Sequence, residues 1–276
     1  MCELLALSSS RPARLTFSLQ SLASHGDLLG GSPDGWGVAF YSDHDVALFR
    51  EPAPAASSSL VQYLEARGPR TPLAISHIRH ATRGAVTLAN TQPFVRALGG
   101  RSHVFAHNGD LPGIWDNLAL SLGSEHPVGE TDSEQAFCAL LARMRGLWSG
   151  AGLPPLDDRL SKVEDFAAEL RALGPANFLY ADGDVLFAHG HRRKHLPGSP
   201  DDAPGLWLLQ RYCADTDIVS KPVDVVSVEG GGQFVAMLAS VPLTEDAWRP
   251  LGNGEIVVVR EGVVITPGSE ASNRSG

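Results

Sequence analysis

A cysteine stands at position 2, directly behind Met1. Its side chain is small enough to permit methionine removal, which would leave Cys2 with a free α-amino group beside its own thiol. Such an amine has a reference pKa of roughly 7.7–8.0, suited to accept a thiol proton near neutral pH, directly or through one water. N-terminal threonine nucleophiles are activated by the same logic. Cys2 equally fits a plainer role, as a small buried residue that opens a strand.

Three further clusters carry side chains with chemical potential. His77-Ile78-Arg79-His80-Ala81-Thr82-Arg83-Gly84 follows an apolar strand-like run. There Arg79 offers a planar fork suited to a carboxylate, or an ordinary surface ion pair. Phe105-Ala106-His107-Asn108-Gly109-Asp110 contains Asn-Gly, a dipeptide that by default marks a turn. A functional version would aim the Asn108 amide and the Gly109 N–H at one spot and stabilise an oxyanion. Glycine there would allow a close backbone approach. Gly129-Glu130-Thr131-Asp132 precedes a helix pattern, so Asp132 fits a first-turn helix residue or a carboxylate holding an ammonium group.

Other chemistries find less support. Ten histidines raise the question of a metal. His77 and His80 share a strand, where a spacing of three sends them to opposite faces. His189, His191 and His195 fall in a basic stretch with Arg192, Arg193 and Lys194, read as an exposed loop. No Cys or carboxylate spacing completes a zinc site, so neither metal nor other cofactor is expected. A serine nucleophile elbow, Gly-x-Ser-x-Gly, is absent from the sequence.

These groups need elements to hold them. Cys2–Leu7 reads as a short buried strand. Leu15, Leu19 and Leu22 recur at helical spacing, with Gly26 as the stop. Gly30–Gly35 reads as a loop and Trp36–Tyr41 as a strand. A helix from Ser57–Ser59 to Arg67 ends at Gly68, and strands follow near Leu73–Ile78 and His103–His107. Thr131-Asp132-Ser133-Glu134 has the form of a capping box, with Phe137, Leu140, Leu141 and Met144 as the apolar face behind it. A second long helix covers about Asp157 to Leu173.

Thereafter strands dominate: Phe178–Tyr180, Val185–Ala188, Leu206–Leu209, Val223–Val228, Phe234–Leu238 and Ile256–Val259, with hairpin turns at Asp182-Gly183 and Glu261-Gly262. Few helices and no regular alternation predict α+β with largely antiparallel sheets. One domain is expected over residues 1–266. Neither Gly150–Pro155 nor Leu196–Gly205 is long or polar enough to divide it, and the polar tail 267–276 reads as disordered.

The formal net charge of −9 over 276 residues argues against nucleic acid or an anionic membrane as partner. Glu3 and the Ser8–Arg11 cluster interrupt any signal-like apolar run. Three widely spaced cysteines do not form a disulfide framework, which favours a reducing, cytoplasmic setting.

Taken in order, Met-Cys, Asp34-Gly35-Trp36-Gly37, His77-Ile78-Arg79 with Thr82 and Gly84, Asn90-Thr91-Gln92-Pro93-Phe94, His107-Asn108-Gly109 and Gly129-Glu130-Thr131-Asp132-Ser133-Glu134 form a specific series. It resembles the class II glutamine amidotransferases, a family of N-terminal nucleophile hydrolases, and within them the compact stand-alone YafJ-like branch. The resemblance runs from Met1 to about Val264 and includes Val241-Pro242-Leu243-Thr244. Many members of the family carry an aromatic residue at the position of His80 and a histidine at that of Arg83, where this sequence differs.

The resemblance implies a four-layer αββα sandwich of two stacked antiparallel sheets. It implies Cys2 as nucleophile and, through its amine, base, with Asn108 and Gly109 as oxyanion hole. Arg79 would grip the substrate α-carboxylate and Asp132 its α-ammonium. Thr82 would touch the pocket, and Gly35 and Trp36 would line or support it. The implied reaction cleaves the γ-glutamyl amide of glutamine through a Cys2 thioester and releases glutamate and ammonia, with a separate synthase subunit as a conceivable recipient of the ammonia. Two alternatives share these motifs: an amidase for a larger γ-glutamyl amine or peptide, and a non-catalytic scaffold that binds such ligands.

Overall fold

The computed structural model describes residues 2–17, 34–80, 84–193, 203–213, 226–228 and 232–266. The expected helix stop at Gly26, the pocket residue Thr82, the histidine at 195 and the tail 267–276 lie outside them.

The described strands are β1 (Glu3–Phe17), β2 (Gly35–Ser42), β3 (Asp45–Glu51), β4 (Arg70–Arg79), β5 (Phe94–Leu98), β6 (Arg101–Gly109), β7 (Ala176–Ala181), β8 (Leu186–His189), β9 (Trp207–Cys213), β10 (Val226–Val228), β11 (Gln233–Ala239), β12 (Arg249–Pro250), β13 (Ile256–Arg260) and β14 (Val263–Ile265). The α-helices are α1 (Ser59–Arg67), α2 (Asp132–Met144) and α3 (Leu156–Leu173). One sheet has the order β12-β9-β11-β1-β4-β2-β3, with β10 also on β1, and the other the order β14-β13-β8-β7-β6-β5. Every strand pair is antiparallel.

Strand alternation divides each sheet into two faces. In the first sheet Leu4, Ala6, Ala39, Tyr41 and Ile75 meet Val104, Ala106, Leu179, Ala181 and Ala188 of the second in a core between the sheets. Leu5, Leu7, Trp36, Val38 and Ile78 point the other way, onto Val61 and Leu64 of α1. Phe105, Phe178, Tyr180 and Phe187 form the outer face of the second sheet, beneath Phe137, Leu140, Val163, Phe166 and Leu170 of α2 and α3. These layers make an αββα sandwich.

Local signals account for several boundaries. Ser58 caps α1 by accepting the Val61 N–H, and Gly68 closes it. Thr131 caps α2 by accepting the Glu134 N–H at 3.3 Å. The return half of the capping box differs from expectation, since Glu134 reaches past Thr131 to the Gly129 N–H at 2.7 Å. The turn at Glu261-Gly262 has positive φ at both residues, 51° and 75°, as a tight hairpin of the right hand demands.

Elsewhere pairing overrides local pattern. Leu15 does not begin a helix. It lies in β1, opposite Val228, while Ala13 and Arg14 face Thr71 and Arg70 across a bulge. A leucine spacing near 3.6 yields to ladders with partners far away in sequence. Gly35, expected in a loop, already belongs to β2.

Candidate active site

Cys2 precedes the first residue of β1, an interior strand flanked by β4 and β11. The ladder sets Leu4 opposite His77 and His77 opposite Gly37. By alternation Cys2, His77, Arg79, Gly35 and Gly37 all belong to the face between the sheets. In the second sheet Asn108 shares its face with Val104 and Ala106, which also look into that gap. Cys2, Arg79, Gly35 and Asn108 therefore converge at one end of the sandwich.

The Cys2 thiol is held by the backbone of residue 80. Its Sγ lies 3.4 Å from the His80 N–H as acceptor and 3.6 Å from the His80 carbonyl oxygen as donor. Burial pushes the thiol pKa up. The His80 N–H and the positive charge of Arg79 pull it partly back. A thiol so placed does not ionise spontaneously at neutral pH, so reactivity needs a base close by.

Asn108 and Gly109 lie not in a turn but at the end of β6, paired with Asn177 and Ala176 of β7. The Asn108 amide donates to the carbonyl oxygen of Cys2, which ties the two sheets together at that residue. Asn177 Nδ2 donates to the Asn108 carbonyl oxygen at 3.3 Å, and Gln92 grips the preceding peptide. Gln92 Oε1 accepts the His107 N–H at 2.7 Å, and Nε2 donates to the His107 oxygen at 3.2 Å. At Gly109 a Cβ would lie 1.8 Å from the Pro175 oxygen, so no other residue fits.

Arg79 is a buried residue, only 4% exposed, and not a surface one. Its Nη1 meets Asp34 Oδ1 at 3.0 Å, and Nη2 donates to the carbonyls of Gly84 and Ala85 at 3.2 and 3.3 Å. The loop that supplies those carbonyls is itself tethered. Asn90 donates to Ala85 O at 3.0 Å and accepts the Glu130 N–H at 2.9 Å. Asp132 sits in the first turn of α2, where Oδ2 accepts the Leu111 N–H and Oδ1 the Ser133 N–H, at 2.9 and 2.8 Å. Trp36 is fully buried on the opposite face of β2, with Nε1 on Glu51 at 3.0 Å. It supports the strand from behind and does not line the gap.

Several structurally important polar groups carried no individual signal. Asp34, Gln92, Asn90 and Glu130 lie inside the motifs noted above, whose polar runs could have pointed to them. The histidines were misplaced. His189 lies in β8 and His191 just after it, both buried and not in an exposed loop. His189 Nδ1–H donates to Ala176 O at 2.7 Å and Nε2 accepts from Arg171 at 2.9 Å. Burial lowers its pKa to about 3. His77, buried in the gap, is likewise lowered to about 3 by desolvation, helped by nearby positive groups. Among the described residues no three His, Cys, Asp or Glu side chains gather as a metal site. No described helix is long and apolar enough to cross a membrane.

The geometry is thus an αββα sandwich with a cysteine at the start of a central strand, facing an Asn-Gly on the opposite sheet. The sequence profile described as "Glutamine amidotransferases class-II" matches residues 1–276, and the chain belongs to that family. It is 32% identical over 266 residues to YafJ of Escherichia coli (strain K12), covering 92% of this chain and 96% of that one. It is 33% identical over 272 residues to MJ1515 of Methanocaldococcus jannaschii, covering 96% and 71%. Among solved structures, a predicted glutamine amidotransferase from Pseudomonas aeruginosa PA01 superposes with a TM-score of 0.65 at 31% identity, over 96% of this chain and all of the other. The glutamine phosphoribosylpyrophosphate amidotransferase of B. subtilis shares the fold alone, at 15% identity and a TM-score of 0.56. There this chain covers 48% of the longer protein.

Proposed function

We propose that the protein hydrolyses the γ-glutamyl amide of glutamine, with Cys2 as nucleophile once Met1 is removed. The observation that carries this reading is the meeting of the Cys2 thiol, the Asn108 amide and the Arg79 guanidinium at one end of the gap. The Cys2 α-amine takes the thiol proton, and the thiolate attacks the γ-carbonyl carbon. Asn108 then exchanges its bond to the Cys2 carbonyl for the developing oxyanion, which Gly109 N–H shares. The ammonium protonates the departing amine, and water cleaves the γ-glutamyl thioester to release glutamate. In this reading Arg79 takes the α-carboxylate, with Asp34 already showing how a carboxylate lies against it. Asp132 takes the α-ammonium, Thr82 contacts the ligand, and Gly35 leaves the space.

Untagged protein treated with a glutamine-mimicking diazoketone provides the test. Intact mass should show loss of Met1 and one adduct, mapped to Cys2. A fully active enzyme that keeps Met1 would end this reading. Steady-state hydrolysis of glutamine against γ-glutamyl peptides then fixes the leaving group. A strong preference for the larger amide would replace the glutaminase with a γ-glutamyl amidase, and a recipient synthase for ammonia would no longer be needed.

A further inference from the structure

Glu3 immediately follows the nucleophile, and the chemistry above gives it no task. Its carboxylate is buried, at 1% exposure. Oε1 accepts from Arg193 Nη2 at 2.8 Å, and Arg193 also donates to the Ser240 carbonyl at 2.8 Å. The Ser240 hydroxyl accepts the Leu4 N–H at 2.9 Å. Burial raises the Glu3 pKa, while Arg193 and, last, the Ser240 hydroxyl pull it partly back. Arg193 comes from the segment after β8 of one sheet, whereas Glu3 lies in β1 and Ser240 just after β11 of the other, so this cluster ties the start of β1 to both at the end of the sandwich. Oε2 is different. It is buried and has no hydrogen-bond partner among the described residues. A carboxylate oxygen left in that state is costly. Removal of Met1 would create a new donor on the adjacent residue, an α-ammonium group with three N–H bonds.

Building on the reading of Cys2 as an N-terminal nucleophile, we propose that Glu3 Oε2 seats the Cys2 α-ammonium and holds that nitrogen beside the thiol. Glu3 is then a positioning residue for the base. The proton leaves Sγ for the neutral amine, one N–H of the resulting ammonium rests on Oε2, and another is delivered to the departing nitrogen, which restores the neutral amine. The charged and titratable groups near this terminus are Arg79 at the end of β4, His80 just after it, Arg193 from the segment after β8, and Glu3 itself. The arginines disfavour the ammonium, and Glu3 opposes them.

The test follows the Cα resonance of 13C-labelled Cys2 in untagged, Met1-free enzyme from about pH 5 to 10, which reports the amine directly. Glu3→Gln should lower the midpoint by about 0.5–1 pH unit and shift the acid limb of diazoketone labelling with it. Glu3→Asp keeps a charge for Arg193 but withdraws the oxygen, and should also lower the midpoint. It decides the matter alone if Glu3→Gln does not fold. Midpoints within about 0.2 units of wild type overturn the proposal. Wild-type enzyme that retains Met1, or labels elsewhere than Cys2, overturns the function reading and this proposal with it. Correct labelling with an unmoved midpoint overturns the role of Glu3 alone.

Discussion

The two ends of the sandwich differ in how they treat buried charge. At the end away from Cys2, Arg159 joins Asp182 at 2.7 Å and Asp184 at 2.8 Å, and Arg260 joins Asp184 at 2.8 Å. Asp182 also accepts the N–H groups of Asp184 and Val185. Tyr41 donates its hydroxyl proton between Ser102 O and Ala181 O, at 2.8 and 3.1 Å. At the Cys2 end, Glu3 Oε2 and both ring nitrogens of His77 are buried without hydrogen-bond partners among the described residues. One end closes its carboxylates into a network that fixes the fold. Arg159 Nε alone of that guanidinium has no partner there among the described residues, whereas the other end leaves a carboxylate oxygen and a whole imidazole uncommitted, as expected where a ligand or a processed terminus completes the pairing.

The contrast can be broken by substitution. Cys2→Ala should reduce glutamate release from glutamine by about 10⁴-fold or more and leave the thermal transition in place. Residual turnover near wild type would remove the Cys2 end from catalysis. Asp182→Ala should do the reverse. It leaves the buried Arg159 with Asp184 alone and should cost about 3 kcal/mol of unfolding free energy in urea, with turnover of the still-folded protein retained. Asn108→Ala should lower turnover by roughly two to three orders of magnitude, about 3–4 kcal/mol of barrier. A loss confined to stability would recast Asn108 as a strut between the sheets.

The smallest effect concerns acid. His103, at the far end, donates Nε2–H to Leu98 O and accepts from the Tyr180 hydroxyl, and burial lowers its pKa to about 4. The unfolded chain binds a proton there below about pH 6.5 while the folded chain does not. Stability therefore falls as pH drops from 6.5 towards 4, by about 1 kcal/mol at pH 5.5 for this one group. Urea titrations at pH 7.5 and 5.5 should show the loss, and His103→Gln should remove that share of it.

Legibility in the sequence followed locality. Ser58 with Gly68, Thr131 with Glu134 and Glu261 with Gly262 are satisfied by groups within a few residues, so their elements could be read directly. The α+β class and the strand around Trp36 followed from patterning alone. The αββα stacking and the roles around Cys2 rested on family resemblance, because no local feature brings residue 2 to residue 108. Asn108-Gly109 misled as a turn because the β7 ladder that straightens it lies about 70 residues on. His189 and His191 looked solvated beside Arg192 and Arg193, yet strand pairing buries the first and Asn177 of β7 holds the backbone of the second. Glu3 gave no sign at all, since its burial depends on Arg193, 190 residues away.

The central position of β1 sets an order on biosynthesis. Leu5 pairs with Ala239, and Leu4 exchanges hydrogen bonds with Ser240. During translation the opening strand must wait with one edge bare until residue 240 has left the ribosome. That interval leaves the start of the chain open to processing enzymes, which a finished sheet would hinder. It also means that polypeptides halted before Ala239 lack the strand that flanks the start of β1, so unfinished chains hold Cys2 from one side only.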